Sequence, residues 1–224
     1  MTRRTRDLIV VGASAGGVEA LRDLAAGLPG DLPASVLVAL HLPPDGTSVL
    51  AAILDRAGPL PSHTARDGVL LEHGTIYVAP PGRYLLVVGS RLMLSERPAE
   101  HGRRQEINAL FASAARAAGP RVTGVLLSGV LDDGVAGLVT IVSCGGAAMV
   151  QDPAEARYPS MPLHALRALE IDHILPAHAM GGVLGMLSRQ EADTGGHAAR
   201  RTTGGAEPYD MLTAANAGRR EELR

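Results

Sequence analysis

Short unbroken apolar runs alternate along the chain with segments whose apolar residues recur every three or four positions. Leu8–Val11 and Ser35–Leu40 read as buried strands, because a strand buried on one face alternates apolar and polar residues, and Arg121–Leu127 and Ala147–Val150 also read as strands. Val18–Leu28 places Val18, Leu21, Leu24, Ala25 and Leu28 on one helical face, and Pro29-Gly30 ends it. A helix follows from Thr47, a candidate cap, to Ala57, with Leu50, Ile53 and Leu54 facing inward. The same period predicts helices over Glu106–Ala118, Gly134–Ser143, about Pro162–Leu169 and His178–Arg189, with a short extended segment at Ile174-Leu175.

Residues 62–95 break this alternation. Thr75–Ala79 and Tyr84–Val88 flank Pro80-Pro81-Gly82, and Leu92–Leu94 follows Gly89-Ser90-Arg91, which predicts an antiparallel insert of short strands. From Gln190 onward the apolar density falls and no period is visible. The reading is one domain over residues 1–189 and a disordered tail over 190–224, with a short helix near Tyr209–Ala217. The expected fold is α/β: a doubly wound, mostly parallel sheet with helices on both faces and a small antiparallel insert.

Composition narrows the chemistry. Hydrophobic residues make up 46% of the 224, enough for a substantial core. The net charge of −2 argues against a protein that coats nucleic acid, and 2% aromatics leave little to stack on bases. No apolar run reaches membrane-spanning length, and the N-terminal apolar stretch is too short for a secretion signal, so a reducing cytoplasm is the expected compartment. One cysteine, Cys144, excludes an internal disulfide and is expected as buried packing. All 21 basic residues are arginine. Without lysine there is no P-loop, no Schiff base and no Tyr-x-x-x-Lys pair of a short-chain dehydrogenase.

In open α/β sheets ligands sit beyond the carboxyl ends of the strands, and three such ends carry chemistry here. The first runs into Gly12-Ala13-Ser14-Ala15-Gly16-Gly17. Small residues turn the chain sharply into a helix whose first amides favour negative charge, so Ser14 fits a nucleophile beside an oxyanion hole. The same turn also fits a phosphate loop in which Ser14 only caps the helix. The second strand ends at His41, where a dinucleotide site would want an acid for the ribose; the ring is either a surface residue or a general base facing Ser14. The third strand leads through Ser128-Gly129-Val130-Leu131 to Asp132-Asp133-Gly134, acids that either cap the next helix or orient His41.

At these residues the chain resembles the CheB-type chemotaxis protein-glutamate methylesterases. Val11–Leu21 is similar to that family's nucleophile segment, His41-Leu42-Pro43 to its histidine segment, and Leu126–Gly134 to its L-T-G-M-G-x-D-G segment. Gly74–Gly82, Leu110–Ala115, Gln151-Asp152 and Ser160-Met161-Pro162 also match, so the likeness runs from about Leu8 to Leu187. The resemblance implies Ser14 as nucleophile, His41 as base and Asp133, which directly precedes Gly134, as orienting acid. It implies oxyanion donors at the amides of Ala15 and Val130, and a substrate groove beside Met161. The implied reaction is hydrolysis of glutamyl methyl esters on the cytoplasmic part of a receptor, with glutamine deamidation in some members. It runs through an acyl-serine and calls for no metal or cofactor.

The sequence departs from the family pattern at Ala15, usually Thr, at Leu131, usually Gly, and at Gln105–Asn108, where P-S-x-D is usual. These departures leave open a catalytically impaired homologue that binds a receptor or signalling partner. With its first strand at about residue 8, the chain is also expected to lack the receiver domain of the fused enzymes.

Overall fold

In the computed structural model, which describes residues 5–43, 48–96 and 105–192, seven strands form one sheet. In chain order the strands are β1 (Leu8–Ala13), β2 (Ser35–Leu40), β3 (Ser62–Thr64), β4 (Ile76–Val78), β5 (Arg83–Val88), β6 (Arg91–Glu96), β7 (Val122–Leu126), β8 (Ala147–Gln151) and β9 (His173–Leu175). The helices are α1 (Gly17–Ala26), α2 (Leu50–Ala57), α3 (Glu106–Ala118), α4 (Val135–Ser143), α5 (Ser160–Ala168) and α6 (Ala177–Leu187). The large sheet runs β3-β4-β2-β1-β7-β8-β9. Every pairing within it is parallel.

The apolar runs become buried strands because both sheet faces are covered. Ile9, Val11, Val36, Val38 and Val125 pack under α1, α2 and α6. Leu8, Val10, Leu37, Ala39 and Leu126 pack under α3, α4 and α5. The side-chain alternation of each strand therefore divides it between two cores. Phe111 of α3 is fully buried in the second core; truncating such a ring costs about 3–5 kcal/mol in typical proteins.

The antiparallel insert is smaller than the sequence pattern predicts. Ile76–Val78 belongs to the large sheet as β4, in register with Val36–Val38 of β2, and β3 adds outside it. Among the strands of the described residues, only β5 and β6 pair antiparallel. Three-residue strands are too short to show a period, and Pro80-Pro81-Gly82 imitates a hairpin turn. Burial on both faces, which Ile76, Tyr77 and Val78 all show, is what separates β4 from the hairpin. Cys144 also differs from expectation. It is exposed at the C-terminal cap of α4, where Gly145 (φ 84°) turns the chain at the rim of the sheet.

After α6, Glu191 forms an isolated antiparallel bridge with Thr5 and Ala192 is buried. Thr47, residues 193–224 and the helix expected near Tyr209–Ala217 lie outside the described residues. No helix among the described residues is long and apolar enough to cross a membrane.

Chain order places the early strands on one side of β1 and the later ones, from β7, on the other. This reversal opens a crevice at the carboxyl ends of β1, β2 and β7. Those are the ends that carry Ser14, His41 and Asp133.

Candidate active site

Ser14 and His41 each follow the last residue of a central strand, β1 and β2, and Asp133 ends the loop after β7. The three side chains form a chain of contacts. His41 Nδ1 lies 3.1 Å from Ser14 Oγ, and Nε2 lies 2.8 Å from Asp133 Oδ2. Asp133 is in turn held by α3: the Ile107 N–H donates to Oδ2 (3.0 Å) and the Asn108 N–H to Oδ1 (3.1 Å). The carboxylate thus sits on a helix N-terminus, where unpaired amides and the helix dipole both favour its charge. Asp132, the alternative acid, is exposed, and its carbonyl accepts the Val135 N–H (3.2 Å).

Three side chains that the sequence reading gave no role complete the frame. Asn108 Oδ1 accepts from the Gly134 N–H (3.0 Å) and the Gly137 N–H (2.8 Å), so the starts of α3 and α4 clasp one another around Asp133. Ser128, completely buried, donates its hydroxyl to the Ala15 carbonyl (2.8 Å) and accepts the Tyr158 N–H (3.0 Å). Its own N–H donates to Gln151 Oε1 (2.7 Å) and its carbonyl accepts the Ser14 N–H (3.0 Å). Ser128 therefore ties the nucleophile turn to β8 and to the segment before α5. Glu106 Oε2 lies 3.2 Å from His41 Nε2, a second acid on the nitrogen that Asp133 holds. The one signal for these three in the sequence is that they sit in or beside the segments that resemble a known family.

Two glycines allow the close approach. Gly16 has φ 70° and caps α1; a Cβ there would lie 2.8 Å from Ser128 Oγ. At Gly129 a Cβ would lie 3.0 Å from Ser14 Cβ and run into Met161 Sδ. Met161, expected beside the substrate groove, is completely buried beneath Gly129, so its side chain shapes the floor of the site. The nearby surface pocket is lined instead by Val130, Tyr158, Ser160, Leu163 and His164. The Ser14 N–H is taken by Ser128, and the Gly129 N–H by the Tyr158 carbonyl (2.9 Å). The expected oxyanion donors, Ala15 and Val130, each stand one residue further on.

Leu131 alone among the described non-glycine residues has positive φ, at 65°. Its carbonyl lies 2.8 Å from His164 Nδ1, which donates there in the protonated-Nδ1 tautomer. A left-handed conformation costs an L-residue about 1–2 kcal/mol, against about 0.5–1 kcal/mol for the extra freedom of glycine in the unfolded chain. The Leu131 side chain is 72% exposed and brings little packing to offset the difference. Leu131→Gly should therefore raise stability by up to about 1 kcal/mol, read as a higher denaturant midpoint at unchanged slope. A lower midpoint would show that the strain argument is wrong.

His41 is raised from 6.5 to about 9. Burial works against the charged ring. The hydrogen bonds and attraction of Asp133, then of Glu106, outweigh it. A group whose pKa is higher when folded stabilises the fold fully below its unfolded value, and the effect disappears as pH rises through the folded value. Melting temperature should accordingly fall between about pH 6.5 and 9 through this residue, and His41→Gln should flatten that part of the curve. His41, Glu106 and Asp133 thus bring one nitrogen and two carboxylate oxygens within 4.8 Å of one another.

The CheB methylesterase family model matches residues 9–184. A protein-glutamate methylesterase/protein-glutamine glutaminase of Methanosarcina mazei is 34% identical over 183 residues, covering 78% of this chain and 50% of that protein. One from Anaeromyxobacter dehalogenans is 38% identical over 185 residues, covering 82% and 54%. This chain thus spans about half the length of the curated relatives it matches. The crystal structure of the Thermotoga maritima CheB methylesterase catalytic domain superposes with a TM-score of 0.74 at 26% identity, over 81% of this chain and 98% of that one.

Proposed function

The chain belongs to the CheB methylesterase family, and from that premise we propose that it is a serine hydrolase that removes methyl esters from glutamyl side chains of chemoreceptor-type proteins in the cytoplasm. The observation that carries the reading is the contact chain from Ser14 Oγ through His41 to Asp133. It is built in the crevice where a parallel sheet binds ligands.

In this reading His41 Nδ1 takes the Ser14 hydroxyl proton as Oγ adds to the ester carbonyl. The oxyanion of the tetrahedral intermediate is met by the Ala15 and Val130 amides, the former at the positive end of α1. His41 returns the proton to the departing methoxide, methanol leaves, and the glutamyl group remains on Ser14. Water then adds to the acyl-serine with His41 again taking the proton, and glutamate is released. A glutamine side chain would follow the same course with ammonia as the leaving group. Asp133 keeps the proton on Nε2, so that Nδ1 is the basic nitrogen, and stabilises the imidazolium that forms.

Ala15 and Leu131 do not break this arrangement. Ala15 offers its backbone, and the Leu131 side chain points to solvent at 72% exposure. The impaired-homologue reading is not favoured. Release of methanol from a receptor cytoplasmic segment carrying labelled methyl esters tests the proposal. Turnover that needs no other protein supports it. Failure of the full chain to release methanol between about pH 7 and 10 overturns it.

A further inference from the structure

His41 Nε2 faces two carboxylates, and the mechanism above uses one. Asp133 Oδ2 is hydrogen-bonded to this nitrogen at 2.8 Å, and Glu106 Oε2 lies 3.2 Å away, at ion-pair distance. The three side chains are 10%, 13% and 5% exposed, so solvent screens their attraction poorly. Both acids are also placed by one element. Glu106 is the first residue of α3, and the next two amides, of Ile107 and Asn108, hold Asp133. The start of α3 thus delivers one carboxylate to the ring and anchors the other.

We propose that Glu106 is a positioning residue whose carboxylate, beside that of Asp133, holds the ring proton on Nε2 and leaves Nδ1 as the nitrogen that faces Ser14. The proposal rests on the reading of His41 as base. Two carboxylates beside Nε2 make its proton the harder one to lose, so the neutral ring keeps Nδ1 free to face Ser14. They also stabilise the imidazolium. His41 then becomes a stronger base that is fully neutral only at higher pH. Among the described residues the charged groups against the ring are these two acids, one after β7 and one on α3; Ser14, from the turn after β1, is neutral. The raised value of about 9 agrees with this geometry.

The test follows the ring itself. Imidazole nitrogens of the full-length, 15N-histidine-labelled chain are titrated by NMR, with His41 assigned by its absence in His41→Gln. Glu106→Gln, nearly isosteric and still able to accept a hydrogen bond, should lower the His41 midpoint by about one pH unit, a tenfold change in its proton affinity. Glu106→Ala should lower it at least as far, and Glu106→Asp, which keeps the charge, should restore part of the shift. In turnover, the alkaline rise of kcat/KM should move toward neutral pH by the same interval. Glu106→Gln would then match or exceed the wild type at pH 7 while reaching a lower plateau. A merely structural role would lower activity at every pH and leave the midpoint in place. A His41 midpoint unchanged by both Glu106→Gln and Glu106→Ala overturns the proposal. The titration needs no substrate, so it is decided even if methyl esters prove not to be the substrate.

Discussion

Replacing Ser14 by alanine should abolish methanol release while leaving the fold intact. Removing a nucleophile that acts as one unit with its base typically costs several powers of ten, up to about 10⁶ in a serine protease. The hydroxyl meets His41, and the turn is held by main-chain and Ser128 bonds that alanine keeps, including the Ser14 N–H to the Ser128 carbonyl at 3.0 Å. Melting should therefore stay within a few degrees of the wild type. A variant retaining more than about a tenth of the rate would remove Ser14 from the role.

Asp133→Asn should be the next most damaging change. The carboxylate meets three donors: the Ile107 and Asn108 amides and His41 Nε2–H. Asparagine has one oxygen. If that oxygen stays with the α3 amides, its NH₂ faces Nε2 and drives the ring proton to Nδ1, so the basic nitrogen turns away from Ser14. In a protease triad the corresponding change costs about 10⁴. Here the Glu106 carboxylate still stands 3.2 Å from Nε2 and favours a proton there, so a loss of roughly 10²–10³ is expected, with an added stability cost of about 1–3 kcal/mol from imperfectly paired buried groups. Asp132→Asn, at an exposed position, should change the rate little. Ester hydrolysis by the two variants at one pH decides the register; a crippled Asp132→Asn would shift it by one residue.

Much of the fold was legible because its central strands are fully buried. An apolar run closed by glycine is a strong local signal, and Leu8–Val11 before Gly12 announced a strand. Asp133 was legible through its place directly before Gly134 in a resembling segment. What stayed hidden depends on distant partners. Glu106 opens a helix as any acid would, and only the fold reveals that its Oε2 meets a histidine 65 positions away in the chain. Ser128 reads as a small loop residue until four bonds from three different segments converge on it. Three residues carry no period, so β4 could not be told from the hairpin by its sequence, and a match in sequence does not say that the Met161 side chain is buried.

The spacing of the contacts in the chain has a consequence for how the protein comes to be active. Ser14 and His41 are 27 residues apart and His41 and Asp133 are 92 apart, joined only through three neighbouring strands of a parallel sheet. Contacts of such separation are made slowly, since the entropy of closing the intervening loops is lost before the pairing returns any stability. No hairpin or helix pair of this chain can hold even two of the three groups in place by itself. During refolding, esterase activity should therefore return no earlier than the pairing of β1 with both β2 and β7, well after helical signal has recovered. A synthesis halted before β7 would yield a chain with its serine and histidine in hand and no means of using them.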